Sequence, residues 1–170
     1  TGSSPSLAVT ILKPASRIRI YRNFTEGLAV MVCIHVGRRC GESNDIQGIQ
    51  SLIKDMQQTE RTSRQAGNRY LSEKRKFAKM TPDIMTAFLL SVTDAHGSEW
   101  LKDFFHLFQK ENAKEICESA ESHMARLHLV IAAMETATPE SIMPHMKRYG
   151  FPVIDTLYGK YLSEWAALAE

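Results

Sequence analysis

Seven basic side chains lie between residues 61 and 79, a spacing suited to binding an anionic ligand. Glu73 is the single acid in this run, which therefore has a net charge of +6. Tyr70 and Phe77 lie between the cations. Because cations bind phosphates and aromatic rings stack on bases, the combination is typical of nucleic-acid-binding surfaces. The candidate RNA- or partner-binding residues are Arg61, Arg64, Arg69, Tyr70, Lys74, Arg75, Lys76 and Lys79.

A second interpretation of this run stays open, because charges along a helix commonly form a solvated face. The charge of the whole chain is only +2, but it is unevenly divided. Residues 1–79 have a net charge of +8, and residues 80–170 have a net charge of −6. We therefore expect the two halves to contact different partners.

The six histidines do not form a recognisable ligand set. His123 and His128 are five residues apart, which places them on different sides of a helix rather than at the HExxH spacing of zinc enzymes. A haem would need His145 as its proximal ligand, and too little chain follows His145 for the last globin helices. We expect no metal and no other cofactor.

The sequence offers little for catalysis. Cys33, Cys40 and Cys117 lack a CxxC spacing, which predicts reduced thiols rather than a disulfide framework or a zinc ribbon. Acidic neighbours of Cys117 should raise its thiol pKa and oppose nucleophilic chemistry. A phosphate-binding glycine loop, a GxSxG motif and a recognisable pair of catalytic carboxylates are all missing from the sequence. We expect a non-catalytic protein without a small-molecule substrate.

The composition indicates helices as the elements that position these residues. A chain of 170 residues is long enough for one domain or a short array of repeats. Its nine glycines and six prolines are too few for a β-sandwich with many tight turns. Its apolar runs are also too short to predict a membrane span.

Apolar periodicity divides the chain into two parts. Partial alternation of apolar and polar residues predicts an extended N-terminal arm over residues 1–25. A helical domain follows over residues 26–170, with eight helices joined by short loops, a pattern typical of antiparallel helix pairs. The predicted helices begin at Glu26 and Asp45, span 62–78, follow Thr81, begin at Ser98, span 117–134, follow Thr138 and begin at Asp155.

The C-terminal stretch contains a recognisable junction. Residues 146–152, with the sequence MKRYGFP, precede a helix start at 155–162, and together they resemble the boundary between successive pentatricopeptide repeats. Residues 81–108 and 27–56 resemble weaker units of the same kind. First-helix starts near 84, 120 and 154 are 36 and 34 residues apart, close to a repeat of about 35 residues.

The resemblance implies an all-α fold in which α-α hairpin repeats stack as a short right-handed α-solenoid behind the extended arm. It also implies an organelle, usually a mitochondrion or a plastid, and single-stranded RNA as the ligand of the concave face. The base-reading positions of the family would fall on Lys160 and Leu89 here, which are poorly suited to select a base. We therefore expect contact with the RNA backbone rather than sequence-specific binding.

Two functions follow as hypotheses. The first is an RNA-associated structural component of an organellar ribonucleoprotein such as the mitochondrial ribosome. The alternative is a protein-binding scaffold or accessory subunit of a mitochondrial respiratory complex that makes no RNA contact. In either case we expect the aromatic side chains of Trp100, Phe104 and Phe105 to be largely buried between helix pairs.

Overall fold

A computed structural model describes residues 14–42 and 50–169 of the chain, and their side chains from residue 21 onward. This part of the chain is all-α and contains no strand, with packed helix pairs as the sequence predicts. None of the described helices is both long and apolar enough to span a lipid bilayer. The helices are α1 (Pro14–Glu42), α2 (Gln50–Ser72), α3 (Pro82–His96), α4 (Glu99–Gln109), α5 (Ala113–Glu118), α6 (His123–Ala137), α7 (Met143–Arg148) and α8 (Asp155–Ala169), and a short 3-10 turn covers Phe77–Lys79.

Local signals explain several helix boundaries. The amide of Ile84 donates to the side chain of Thr81 (3.4 Å), which caps α3. Ser122 caps α6 in the same way through the amide of Ala125 (3.0 Å). Gly150 follows α7 with a φ of 69°, a left-handed conformation that side-chain-bearing residues rarely adopt. These three helix boundaries therefore depend on residues close to them in the sequence.

Packing joins the helices into two groups. Helices α1, α2 and α3 pack against one another, and α6 packs against α4 and α8. The two groups meet where α1 lies on α6. A solenoid with contacts only between neighbouring helix pairs does not predict this α1–α6 contact, because α1 and α6 are far apart in the chain. The core contains fully buried large side chains from both groups, including Phe24, Met31, Trp100, Ile131 and Trp165.

The extended arm predicted for residues 1–25 is wrong for residues 14–25, which belong to α1. Residues 1–13 lie outside the described part of the chain. Phe24 is 1% exposed, and the side-chain amide of Asn23 donates to the carbonyl of Met80 (2.6 Å). These long-range contacts stabilise a helix where the short apolar alternation alone predicts an extended chain.

The second and third predicted helices are one continuous helix, α2, of which the structure describes the part from Gln50. The stretch 57–62 interrupts the apolar pattern because it is polar, but it contains no helix breaker, and the helix continues through it. The helix also ends at Ser72 rather than at residue 78. The starts of α3, α6 and α8 at residues 82, 123 and 155 are less evenly spaced than the predicted repeat.

The aromatic cluster of α4 is buried in part. Trp100 and Phe104 are 1% and 3% exposed, as predicted, whereas Phe105 is 42% exposed. Residues 100, 104 and 107 follow each other at four- and three-residue steps and so share the helix face that meets the core. Phe105 lies one residue further round the helix, which turns it toward solvent. The prediction that Phe105 is buried is therefore wrong.

Candidate nucleic-acid interface

Helix α2 has one face that is open to solvent along its length. Polar residues at three- and four-residue steps form a straight stripe on this face, and each of them is exposed. The stripe is about 22 Å long at the usual helical rise. Its members are Lys54, Gln58, Arg61, Gln65 and Arg69.

The opposite face of α2 fixes the direction in which this stripe points. Gly67 is buried against α3, and a Cβ atom placed on it would lie 2.4 Å from the Cβ of Ala87. The two helices thus approach too closely for any larger residue at position 67 without movement. This close approach sets the rotation of α2 about its own axis and keeps Arg61 and Arg69 on the outside.

Arg64 takes part in a half-buried ion-pair network instead of the open face. Its guanidinium donates to Glu60 at 2.9 Å and to Asp94 at 2.6 Å, and the guanidinium of Arg38 donates to Glu60 at 3.0 Å. The network connects α1, α2 and α3. The hydrogen bond from Arg64 holds the pKa of Asp94 below its ordinary value. The pKa of Glu60 is also lowered, because hydrogen bonds from Arg38 and Arg64 outweigh the opposing effect of burial.

The turn after α2 presents three further lysines. Lys74, Lys76 and Lys79 are exposed around Phe77, whose ring is buried against the ring of Phe151 with a centroid distance of 4.6 Å. Phe77 therefore anchors the turn. Arg75 is exposed but forms an ion pair with the adjacent Glu73, which satisfies part of its charge.

Tyr70 and Phe77 cannot stack on bases, because both are buried. The hydroxyl of Tyr70 donates to the carbonyl of Tyr149 (2.9 Å), and burial raises the pKa of that hydroxyl. The side chains of Tyr70 and Arg64 thus make contacts within the fold, whereas the sequence places both in the candidate binding set. The predicted residues that are exposed and form no ion pair within the described part of the chain are Arg61, Arg69, Lys74, Lys76 and Lys79.

The two predicted base-reading positions are unsuited to that task. Leu89 is fully buried in the core. Lys160 is exposed, but its ammonium group lies 4.0 Å from Glu164 and 3.5 Å from the hydroxyl of Ser119. Contact with a nucleic acid through the described residues would therefore fall on the sugar-phosphate backbone.

The arrangement of the other reactive side chains offers little for metal binding or nucleophilic catalysis. The described residues hold no group of three potential metal ligands. The pKa of the Cys117 thiol is raised by burial and by the charge of Glu118, as the sequence predicts. Ser91 Oγ lies 3.1 Å from His145 Nδ1, a pair that the sequence does not reveal. Ser91 donates its proton to the carbonyl of Phe88 (2.7 Å), so the imidazole does not accept it as a general base.

Helix α1 carries an apolar surface that the sequence analysis does not predict. Val36 is 52% exposed, and Ala29 and Cys33 on the same face are exposed as well. Leu52 of α2, which is 53% exposed, lies across a groove of about 230 Å³ from this face. Exposed apolar surface of this kind commonly marks a protein contact. The run 28–36 of α1 could have revealed it, because all of its residues except His35 are apolar, so that apolar side chains surround the helix there.

Comparisons of the chain with models of protein families, with curated proteins and with solved structures give no match.

Proposed function

We propose that this chain is a non-catalytic, RNA-associated helical protein that acts as a structural component of an organellar ribonucleoprotein such as the mitochondrial ribosome. The observation that carries the proposal is the group of exposed cations without ion pairs, among the described residues, on the open face of α2 and the turn after it. The mitochondrial location and the stacking of helix pairs as a right-handed solenoid are parts of the same proposal, and they rest on the resemblance to pentatricopeptide repeats.

The RNA contact we propose is with phosphates and riboses. The stripe on α2 alternates cations with the amide side chains of Gln58 and Gln65, which can hydrogen-bond to phosphate and 2′-hydroxyl oxygens. Its length of about 22 Å spans several phosphates of an RNA strand. The aromatic residues of this region are buried, so base stacking does not contribute. Binding should therefore depend strongly on salt and weakly on sequence.

The test replaces Arg61, Arg69, Lys74 and Lys76 together by Gln. Affinity for unrelated RNA sequences should fall by the same factor for each. The slope of the logarithm of the association constant against the logarithm of the salt concentration should become shallower by about 0.7–0.9 for every phosphate that the variant no longer neutralises. Fluorescence anisotropy over a range of salt concentrations measures both effects.

A matched control variant removes the same number of charges elsewhere. Lys102, Lys110, Lys114 and Lys147 are all exposed and lie outside the proposed interface. Replacing these four by Gln changes the net charge equally and should leave most of the RNA affinity intact. Equal losses of RNA affinity in the two variants would contradict the proposed interface, because they would show only a general attraction between opposite charges. A loss confined to one RNA sequence would contradict backbone contact.

The second candidate, a protein-binding scaffold without RNA contact, is favoured by the exposed apolar face of α1 around Val36. Size fractionation of the native protein with and without ribonuclease separates the two functions. A ribonucleoprotein component should shift to smaller sizes after ribonuclease treatment. An unchanged size, together with unchanged RNA affinity of the Gln variant, would favour the scaffold.

A further inference from the structure

Residues 143–154, here called the α7 segment, comprise α7 and the connection to α8. The segment lies on α3 through α7 and is attached to α6 close to the start of α8. A histidine contact occurs at each end of it. His145 lies near the beginning, and Ile154 at the end contacts His128 of α6.

At the first contact, His145 packs against the end of α3. Its Nδ1 atom lies 3.1 Å from Ser91 Oγ, and its ring centroid lies 5.6 Å from that of His96. The Nε2 atom of His96 is buried without a hydrogen-bond partner among the described residues. Two imidazoles this close repel each other once both are protonated. Arg148 is a further cation beside His145, and the carboxylate of Asp94, which lies on the same helix as His96, is held by Arg64.

At the second contact, His128 is 0% exposed and uses both ring nitrogens. Its Nδ1 atom lies 2.6 Å from the carbonyl oxygen of Met124, and the amide of Ile154 donates to its Nε2 atom at 2.7 Å. A carbonyl oxygen only accepts hydrogen bonds, so the proton must be on Nδ1 and Nε2 must be bare. A doubly protonated ring would direct an N–H at the N–H of Ile154. The contact therefore exists only with neutral imidazole.

The electrostatic surroundings agree with this geometry. Burial lowers the pKa of His128 despite the opposing effect of the Met124 carbonyl, and no charged side chain among the described residues counters it. Burial also lowers the pKa of His145, and the positive charges of His96 and Arg148 lower it further. Both rings therefore resist protonation while the segment is attached.

We propose that the α7 segment is a pH-sensitive clasp, which is attached at neutral pH and which mild acid releases from α3 and α6 while the rest of the core stays folded. The direction of the pH effect follows from the linkage between proton binding by the histidines and release of the segment. A released histidine binds a proton below about pH 6.5, whereas the contact of attached His128 requires a neutral ring and the lowered pKa of attached His145 makes its protonation less favourable. Each histidine therefore shifts the balance toward release by up to about tenfold for every pH unit below that value.

Release would also change the surroundings of the basic turn. Tyr149 accepts the hydroxyl of Tyr70, and Phe151 packs on Phe77 and Phe88. Phe77 anchors the lysines of the turn, so detachment would leave that anchor without one of its packing partners. The clasp itself does not depend on the proposed RNA function, because it is defined by contacts within the chain.

The test is amide hydrogen exchange of the whole chain at about pH 7.5 and about pH 5.5, corrected for the intrinsic pH dependence of exchange. Protection of peptides covering 143–154 should fall by up to about 100-fold at the lower pH, from about tenfold for each histidine. Peptides from the middle of α3 and α6 should keep their protection. Equal protection of the segment at both pH values, or a uniform loss over the whole chain, would overturn the proposal.

Substitutions then test the two histidines. In the double variant H128Q/H145Q the protection of the segment should no longer change between the two pH values, whereas H106Q, at an exposed position, should behave like the wild type. A double variant that responds to pH as the wild type does would contradict the proposal.

If the double variant does not fold, NMR titration of the wild-type imidazoles decides, because His128 and His145 must become protonated over the same pH range in which the segment loses protection. Protonation without loss of protection would also overturn the clasp.

Discussion

Helices α1 and α6 contain similar runs of apolar residues, but the fold surrounds them differently. Residues 127–134 of α6 are buried without exception. In the run 28–36 of α1, Met31 and Ile34 are buried, whereas Ala29, Cys33 and Val36 are exposed. A helix that is apolar on every side normally lies inside a protein. Only α6 meets that expectation within this chain.

The difference arises from the neighbours of each helix. Helix α6 is covered by α1, α4 and α8 from different directions. Helix α1 packs mainly against α2, α3 and α6, which leave the side that carries Ala29, Cys33 and Val36 exposed. Similar apolar sequences can thus have different roles, one as the centre of a core and the other as its edge. Substitutions on the two helices should show the difference directly.

The largest effect is expected for Ile131→Ala in α6. Ile131 is 0% exposed, and the substitution would leave a cavity that tightly packed neighbours cannot fill. The free energy of unfolding should fall by about 2–5 kcal/mol, as measured by urea denaturation. Met31→Ala tests the covered side of α1, where Met31 is 1% exposed, and a loss of similar size is expected. A much smaller loss for Met31→Ala would mean that α1 is loosely attached along its whole circumference.

A smaller loss in the free energy of unfolding is expected for Gly67→Ala, which tests the close approach of α2 and α3. The added methyl group would overlap the side chain of Ala87, and overpacking of this kind typically costs about 1–3 kcal/mol. Thermal unfolding measures the change. The double variant G67A/A87G removes the overlapping methyl group, so it should lose less stability than the sum of the two single variants predicts. Full additivity would contradict the contact.

The ion-pair network of Arg38, Glu60, Arg64 and Asp94 should contribute still less to the free energy of unfolding. Asp94→Asn removes the carboxylate that Arg64 contacts, and the loss should be about 1 kcal/mol or less because the Asp94 side chain is 47% exposed. The pKa of Asp94 is lowered in the folded state, so the contribution is present above its ordinary value of about 4 and is lost as the pH falls below it. Urea denaturation of wild type and variant at neutral pH and at about pH 3 should show a smaller difference at the lower pH, because the contribution is lost as the pH falls through the lowered pKa of folded Asp94.

The smallest effect is expected for Val36→Thr on the open side of α1. The side chain is 52% exposed, and the stability of the isolated chain should change by less than about 0.5 kcal/mol. Differential scanning calorimetry at two protein concentrations checks this. A loss above about 1.5 kcal/mol would show that the open side is covered after all.

Several features of the fold follow from local sequence. The threonine and proline at 81 and 82 and the glycine at 150 predict boundaries of α3 and α7 because caps and left-handed turns act over a few residues. The single helix predicted over 117–134 is wrong at its start, because α5 ends at Glu118 and α6 begins at His123. The four- and three-residue spacing of Trp100 and Phe104 with the other core residues of α4 correctly predicts their burial. The aromatic side chain of Phe105 suggests burial, but its position on the helix, one residue beyond Phe104, places it at the surface.

The candidate site could be predicted in part. The sequence identifies a basic segment, and the structure leaves Arg61, Arg69 and three lysines of that segment exposed and free of ion pairs among the described residues. The sequence could not reveal that Arg64 pairs with Asp94, or that the hydroxyl of Tyr70 reaches the carbonyl of Tyr149, 79 residues away. Such pairings depend on how the helices pack.

The all-α class, several helix ends and the concentration of positive charge between residues 61 and 79 follow from the sequence, since they depend on composition and on interactions over a few residues. That residues 14–25 are helical, that α2 turns its stripe outward and that histidines contact both ends of the α7 segment depends on how the helices pack. Burial and long-range hydrogen bonds are properties of the packed chain. The same side chain binds an external ligand or stabilises the fold according to what the packing places next to it.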